Sequence, residues 1–271
     1  MATDGCGGCG RAAPLDLDFT FAFQPIVQWS RRRVFAYEAL IRGVDGSGAG
    51  SILSRVTPET RYAFDQRART GAIALASELF RDDGSLLSIN TLPNAIYDPR
   101  RCLRSTLLAA RAHGFPLSRL MFEMTEDEEV LDVAHLKRIA SYYSTSGFTT
   151  AIDDFGKSFS TLEFFMDFKP HVLKLDMSLV QGADRDADRR ARLRTLLSMT
   201  TENGVRIVAE GVETIEELAA LVDLGFDLFQ GYLFARPGFR SLPTIAWDSI
   251  ADGLATATPA APAVVRRAAV G

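Results

Sequence analysis

FTFAFQPIVQW (Phe19–Trp29), SRRR (Ser30–Arg33) and VFAYEAL (Val34–Leu40) form the stretch on which the fold turns. Two apolar, aromatic and β-branched runs are strand material, and the few polar residues between them are too short for a parallel crossover, which needs a dozen or more. The pair is therefore an antiparallel hairpin. Working outward, six further strand-like runs follow: SLLSIN (Ser85–Asn90), RLMFEMT (Arg119–Thr125), FTTAIDD (Phe148–Asp154), VLKLD (Val172–Asp176), RIVAEGV (Arg206–Val212) and LFQGYLF (Leu228–Phe234). Amphipathic segments separate the later ones, among them Ala187–Met199 and a helix after Thr214, where Thr214-Ile215-Glu216-Glu217 reads as a capping box. Strands alternating with helices predict an α/β fold, a TIM-like (β/α)8 barrel with an antiparallel first strand.

Such a barrel brings the C-terminal ends of its parallel strands to one rim, where residues distant in sequence converge. Glu38, Asn90, Glu123 and Glu126, Asp153 and Asp154, Lys174 and Asp176, and Glu210 all fall at the ends of these runs. Individually, Asp153-Asp154 or Glu126 could cap a following helix. Caps do not require Glu38, Asn90, Glu123 and Lys174 inside apolar strands, where an unpaired charge is costly. Carboxylate and amide oxygens are hard donors suited to Mg²⁺ or Mn²⁺, and two such ions about 3.5–4 Å apart can align a water with a phosphodiester.

The chain has 271 residues, 47% of them hydrophobic, enough for one large domain. A net charge of −4 and a pI near 5.5 give no general attraction to nucleic acid, so no DNA partner is expected. No stretch approaches the roughly 18 apolar residues of a membrane span, and a cytoplasmic location is expected. Composition divides the chain into a flexible leader (1–17), the barrel (18–250) and a disordered Ala/Pro-rich tail (251–271). Cys6 and Cys9 in the leader have the spacing of half a zinc site or of a redox pair, without a second pair to complete a zinc site. Arg31–Arg33 reads as solvated surface.

YEALIRG (Tyr37–Gly43), IN (Ile89–Asn90), FEMTE (Phe122–Glu126), DDFG (Asp153–Gly156), KLD (Lys174–Asp176), AEGVE (Ala209–Glu213) and QGYLFARP (Gln230–Pro237) resemble, in order, the signature of the EAL phosphodiesterases, which linearise cyclic di-GMP. The resemblance implies that Glu38, Asn90, Glu123 and Asp153 bind a first metal, and that Asp153, Asp154 and Glu210 serve a second or its water. It implies that Lys174 orients the attacking water, and parity along a strand puts Asp176 where it can hold that ammonium. Arg42 would neutralise a ligand phosphate. Gln24 and Gln230 would line the guanine side, and Glu126 and Glu213 would anchor the loop after Asp154. Two Mg²⁺ or Mn²⁺ ions are the implied cofactors, with Ca²⁺ inhibitory. The expected partners are cyclic di-GMP, a second copy in a homodimer, and a regulatory protein or sensory partner.

After DDFG the family pattern has a small residue and a glycine, where this chain has Lys157-Ser158. Losing that glycine stiffens the loop. An active phosphodiesterase giving pGpG, a catalytically weak cyclic di-GMP receptor acting through a protein partner, and a barrel used only for protein interaction are all open on the sequence.

Overall fold

A computed structural model describes residues 15–92, 95, 96, 98–125, 133–157 and 169–257. Strands β1 (Phe19–Gln28) and β2 (Arg33–Gly43) pair antiparallel, with Gln24 opposite Glu38. The turn between them, Trp29–Arg31, is one 3₁₀ turn closed by Arg32 in the left-handed region at φ 45°. β3 (Leu86–Thr91), β4 (Leu120–Thr125), β5 (Thr149–Phe155), β6 (Val172–Leu175), β7 (Arg206–Ala209) and β8 (Leu228–Phe229) follow, each parallel to the one before, starting from β2. β1 also pairs antiparallel with β8 through Val27–Phe229, which closes an eight-stranded barrel with the expected inverted strand. The short β9 (Gly238–Phe239) adds to the free half of that edge of β1.

The helices outside the barrel are α1 (Ala49–Leu53), α2 (Arg61–Leu79), α3 (Pro99–Cys102), α4 (Arg104–Ala112), α5 (Val133–Thr145), α6 (Met177–Val180), α7 (Ala187–Glu202), α8 (Ile215–Leu224) and α9 (Trp247–Ala257). The capping box on α8 is complete: Thr214 Oγ1 accepts from Glu217 N at 3.2 Å, and Glu217 Oε2 accepts from Thr214 N at 3.3 Å. Asp186 caps α7, accepting from Asp188 N and Arg189 N at 3.0 Å each. Among the described residues no helix is long and apolar enough to cross a membrane.

Strand alternation sorts the core into two parts. Phe23, Leu87, Ile89, Phe122, Ile152, Leu173, Ile207 and Phe229 face outward into the layer under the helices. Ile26, Ala36, Met121, Ala151, Val172, Val208 and Leu228, with Leu86 against them, plug the barrel interior. One inward step nearer the rim, each strand changes to a polar residue, and that layer is the site.

Two boundaries move. Leu17, expected in the leader, is 3% exposed and packs with Ile52 and Phe64, so the folded core begins before residue 18. The tail expected from residue 251 begins inside α9, which buries Ile250 and lays Gly253 and Leu254 toward the core. Alanine-rich composition is shared by tails and good helices, and an apolar i, i+4 pair decides which it is. Cys6 and Cys9 lie outside the described residues.

Candidate active site

Two residues along each parallel strand from the apolar plug stand Glu38 (β2), Ser88 (β3), Glu123 (β4), Asp153 (β5), Lys174 (β6), Glu210 (just past β7) and Gln230 (just past β8). β1 runs the other way, so its member, Gln24, precedes the plug residue Ile26. Lys174 is 1% exposed, and its Nζ lies 3.2 Å from Glu38, 2.9 Å from Glu123, 2.8 Å from Asp153 and 2.8 Å from Glu210. An ammonium has three protons for these four carboxylates. The contacts to Glu38 and Glu123 are hydrogen bonds, whereas buried Asp153 Oδ1 has no aligned donor although it touches Nζ. Gln230 Nε2 donates to Glu38 Oε2 at 2.8 Å, and Asn90 Nδ2 donates to Glu38 Oε1 at 2.9 Å. Gln230 also reaches Gln24 Oε1 at 3.4 Å.

Consecutive strand residues face opposite sides, yet Asp153 and Asp154 both line the cavity. The register of β5 against β6 breaks between Ile152 and Phe155, and Asp154 adopts φ 56°. That bulge turns the second carboxylate back to the rim, a conformation aspartate tolerates better than most residues. Gly231, beside Gln230, is needed for a different reason: a Cβ there would stand 2.0 Å from Val212 O.

The cavity holds about 280 Å³ and is lined by Gln24, Glu38, Asp153, Asp154, Lys174, Asp176, Met177, Glu210, Gly211, Glu213, Gln230, Gly231 and Tyr232. Two carboxylate clusters share Asp153: Glu38, Glu123 and Asp153, then Asp153, Asp154 and Glu210, with donor atoms in each within 4.8 Å of one another. All donors are hard oxygens, and Asp153 Oδ1 is a buried lone pair without an aligned proton. These residues fit a pair of divalent cations.

Electrostatics point the same way. Burial alone would lower the Lys174 ammonium, but Asp153, Glu123, Glu210 and Glu38 outweigh it and hold it well above its usual range. Burial pushes Glu38 up, yet Lys174 with hydrogen bonds from Gln230 and Asn90 holds it below the carboxylate range. Glu123 and Glu210 are well above that range and Asp153 is above it, first through burial and then through neighbouring carboxylates, against the pull of Lys174. A carboxyl raised in the fold adds stability below its unfolded value, near 4, and loses it as pH rises through the folded value. The metal-free protein should therefore weaken over that window, where a cation replaces the bound protons. At a concentration a hundredfold above the Kd at pH 8, each Mg²⁺ or Mn²⁺ site filled should add about 2.7 kcal/mol, roughly 5–10 °C in Tm, and the same concentration clearly less at pH 5. Thermal scans with and without cation at both pH values check this; an equal gain at both would contradict it.

One expected pairing is absent, and two expected residues stand off the cavity wall. Asp176 lines the cavity on the same side as Lys174, as strand parity expects, but its carboxylate caps α6, accepting from Ser178 N at 2.8 Å, and does not pair with Lys174. Arg42 donates to Ile41 O at 2.7 Å and is not among the lining residues. Asn90 reaches the site through Glu38. Glu213 lines the cavity, while Glu126 and Ser158 lie outside the described residues. Lys157 Nζ sits 3.3 Å from Asp154 Oδ2.

Ser88 was not anticipated: buried, it donates to Glu123 Oε1 at 2.5 Å. Its signal was its position two residues before Asn90. Exposed Met177 and Tyr232 at the mouth, with Arg236 4.2 Å over the Tyr232 ring, were also not singled out.

The model of the EAL domain family matches residues 11–237. The chain belongs to the EAL domain family. It is 27% identical over 227 residues to the blue light- and temperature-regulated antirepressor BluF of Escherichia coli K12, covering 84% of this chain and 56% of BluF. It is 30% identical over 182 residues to the probable cyclic di-GMP phosphodiesterase PdeD of the same organism, covering 67% of this chain and 32% of PdeD. The EAL chain thus spans about half and a third of these two proteins. Among solved structures, the c-di-GMP-bound form of a standalone versatile EAL protein from Vibrio cholerae O395 superposes with a TM-score of 0.83 at 47% identity, covering 87% of this chain and 99% of that one.

Proposed function

We propose that this chain is a phosphodiesterase that hydrolyses cyclic di-GMP to linear pGpG with two Mg²⁺ or Mn²⁺ ions. The observation that carries the reading is the pair of carboxylate clusters sharing Asp153 around the buried Lys174. Glu38, Asn90, Glu123 and Asp153 would hold one cation, and Asp153, Asp154 and Glu210 the other. Bound there, the cations would supply water activation and neutralisation of the phosphodiester. Lys174, kept charged by four carboxylates, orients the attacking water. The water oxygen bonds to phosphorus, the bond from phosphorus to the 3′-oxygen breaks, and a proton ends on that 3′-oxygen. Gln24 and Gln230 present amides to the guanine side, Arg42 would meet a phosphate where the ligand extends past the cavity, and Glu213 stands on the cavity wall. A cytoplasmic homodimer acting with a regulatory or sensory partner completes the proposal.

One observation favours a second reading. The Lys157–Asp154 contact puts a cation of the chain's own on a donor of the second cluster, as suits a weakly catalytic receptor that binds cyclic di-GMP and signals through a partner. Chromatography after incubation with cyclic di-GMP separates the two, beside calorimetric binding. The expected result is pGpG with Mg²⁺ or Mn²⁺, none with chelator, and binding with poor turnover in Ca²⁺, whose longer, looser coordination misplaces the water. Tight binding with no product after prolonged incubation in Mn²⁺ would establish the receptor instead.

A further inference from the structure

The opposite end of the barrel carries a second concavity of about 500 Å³, between the first hairpin and the end of α7. Its floor is apolar, with Phe35, Ile207 and Leu228, and its wall carries Arg31, Arg33 and Arg206. Arg206 lies over the Phe35 ring, 4.3 Å from the centroid. Arg33 Nε donates to Gln28 Oε1 at 2.9 Å. Both guanidiniums are thus held by neutral groups, a ring face and an amide oxygen. Burial, then the charge of Arg33, keeps Arg206 below the usual arginine range.

The carboxylate among the lining residues is already engaged. Asp227 accepts from Gln28 Nε2 at 2.9 Å, Ser30 N at 2.8 Å and Ser30 Oγ at 3.0 Å. Gln28 therefore works at both ends, donating to Asp227 and accepting from Arg33. Like charges set close together and fixed by neutral contacts are poised for an anion, and planar guanidinium forks match phosphate oxygens.

We propose that this cavity binds a phosphate-bearing small molecule of nucleotide size, its phosphate between Arg33 and Arg206 and its body on the apolar floor. Burial pushes Asp227 up, but its hydrogen bonds and then the charge of Arg31 hold it below its usual range, which leaves Arg33 and Arg206 to be balanced by a phosphomonoester dianion. The volume falls within the roughly 300–1,000 Å³ of small-molecule sites. A nucleic-acid strand is disfavoured by the net charge of −4. The site is independent of the carboxylate rim and of the reaction proposed there.

Calorimetry on the full chain in chelator, with GMP, inorganic phosphate and guanosine as probes, tests the assignment. Arg206→Met keeps an apolar stem against Phe35, and Arg33→Gln keeps a polar group near Gln28, so each variant should retain its Tm. GMP should bind at one equivalent, more tightly than inorganic phosphate and more weakly as salt rises, while guanosine should not bind. Either variant should weaken GMP at least tenfold. Failure of both GMP and phosphate to bind at millimolar concentration overturns the site, as does affinity unchanged in both folded variants. Guanosine binding as tightly as GMP overturns the phosphate contact, and phosphate binding as tightly as GMP overturns the nucleotide-sized occupant.

Discussion

Lys174→Met is expected to slow single-turnover hydrolysis of cyclic di-GMP about 10²–10³-fold, the scale of losing one preorganised electrostatic group. Methionine keeps the unbranched stem in a position that is 1% exposed, on the same face of β6 as Val172 and in register with Val208 of β7. What disappears is the charge touching Glu38, Glu123, Asp153 and Glu210. Those carboxylates would then face one another with no cation from the chain, and affinity for Mn²⁺ should hold or rise. Glu38→Ala should behave in the opposite way, losing cation binding and hydrolysis together, because it removes a donor from the first cluster and the acceptor for Asn90 and Gln230. Rapid-quench rates beside Mn²⁺ calorimetry on both variants separate the roles. Turnover at the parent rate in Lys174→Met would remove this lysine from the mechanism.

The rim was legible because its residues break a local rule. A carboxylate or lysine inside an apolar strand needs a partner, and several such strands sharing one rim supply each other's. Strand parity then carried the reading from residue to residue as far as the strands themselves extend. It put Asp176 on the cavity side, where that residue lies, but gave it the wrong partner, because the carboxylate caps α6 instead of meeting Lys174. It could not foresee that Asp153 and Asp154 face the same cavity, since this depends on a bulge and a positive φ at Asp154. Ser88 stayed hidden because serine in a strand is unremarkable until Glu123 is found beside it. The limits of the fold were missed where composition misled, at Leu17 and along α9. The Arg33–Arg206 pair joins two ends of different strands, a proximity that only barrel closure creates.

Arg69→Ala should be the most destabilising single change away from the rim, by about 3–5 kcal/mol, the usual cost of orphaning one member of a buried ion pair. Arg69 lies in the middle of α2 and is fully buried; its Nη2 is 2.9 Å from Asp65 Oδ2 one turn earlier. Arg69 also donates to Tyr143 Oη at 3.1 Å and Cys102 O at 3.2 Å, which ties α2 to α5 and to the end of α3. Asp65 Oδ1 accepts from Leu92 N at 3.2 Å, two residues beyond Asn90, so the pair also pins the exit of β3. Burial raises the Asp65 carboxyl above its usual range in spite of Arg69, whereas Asp65 with the neighbouring groups raises Arg69 in spite of burial, so desolvation and attraction stand close to balance. The net worth of the pair is therefore small while the cost of halving it is large. It follows that Asp65→Leu with Arg69→Met, which removes both charges and keeps the volume, should recover most of what Arg69→Ala loses. Denaturant titrations of the parent, the single and the double variant measure both statements. A loss below about 1 kcal/mol in Arg69→Ala, or a double variant as unstable as the single, would mean that the pair is not what holds α2 against β3 and α5.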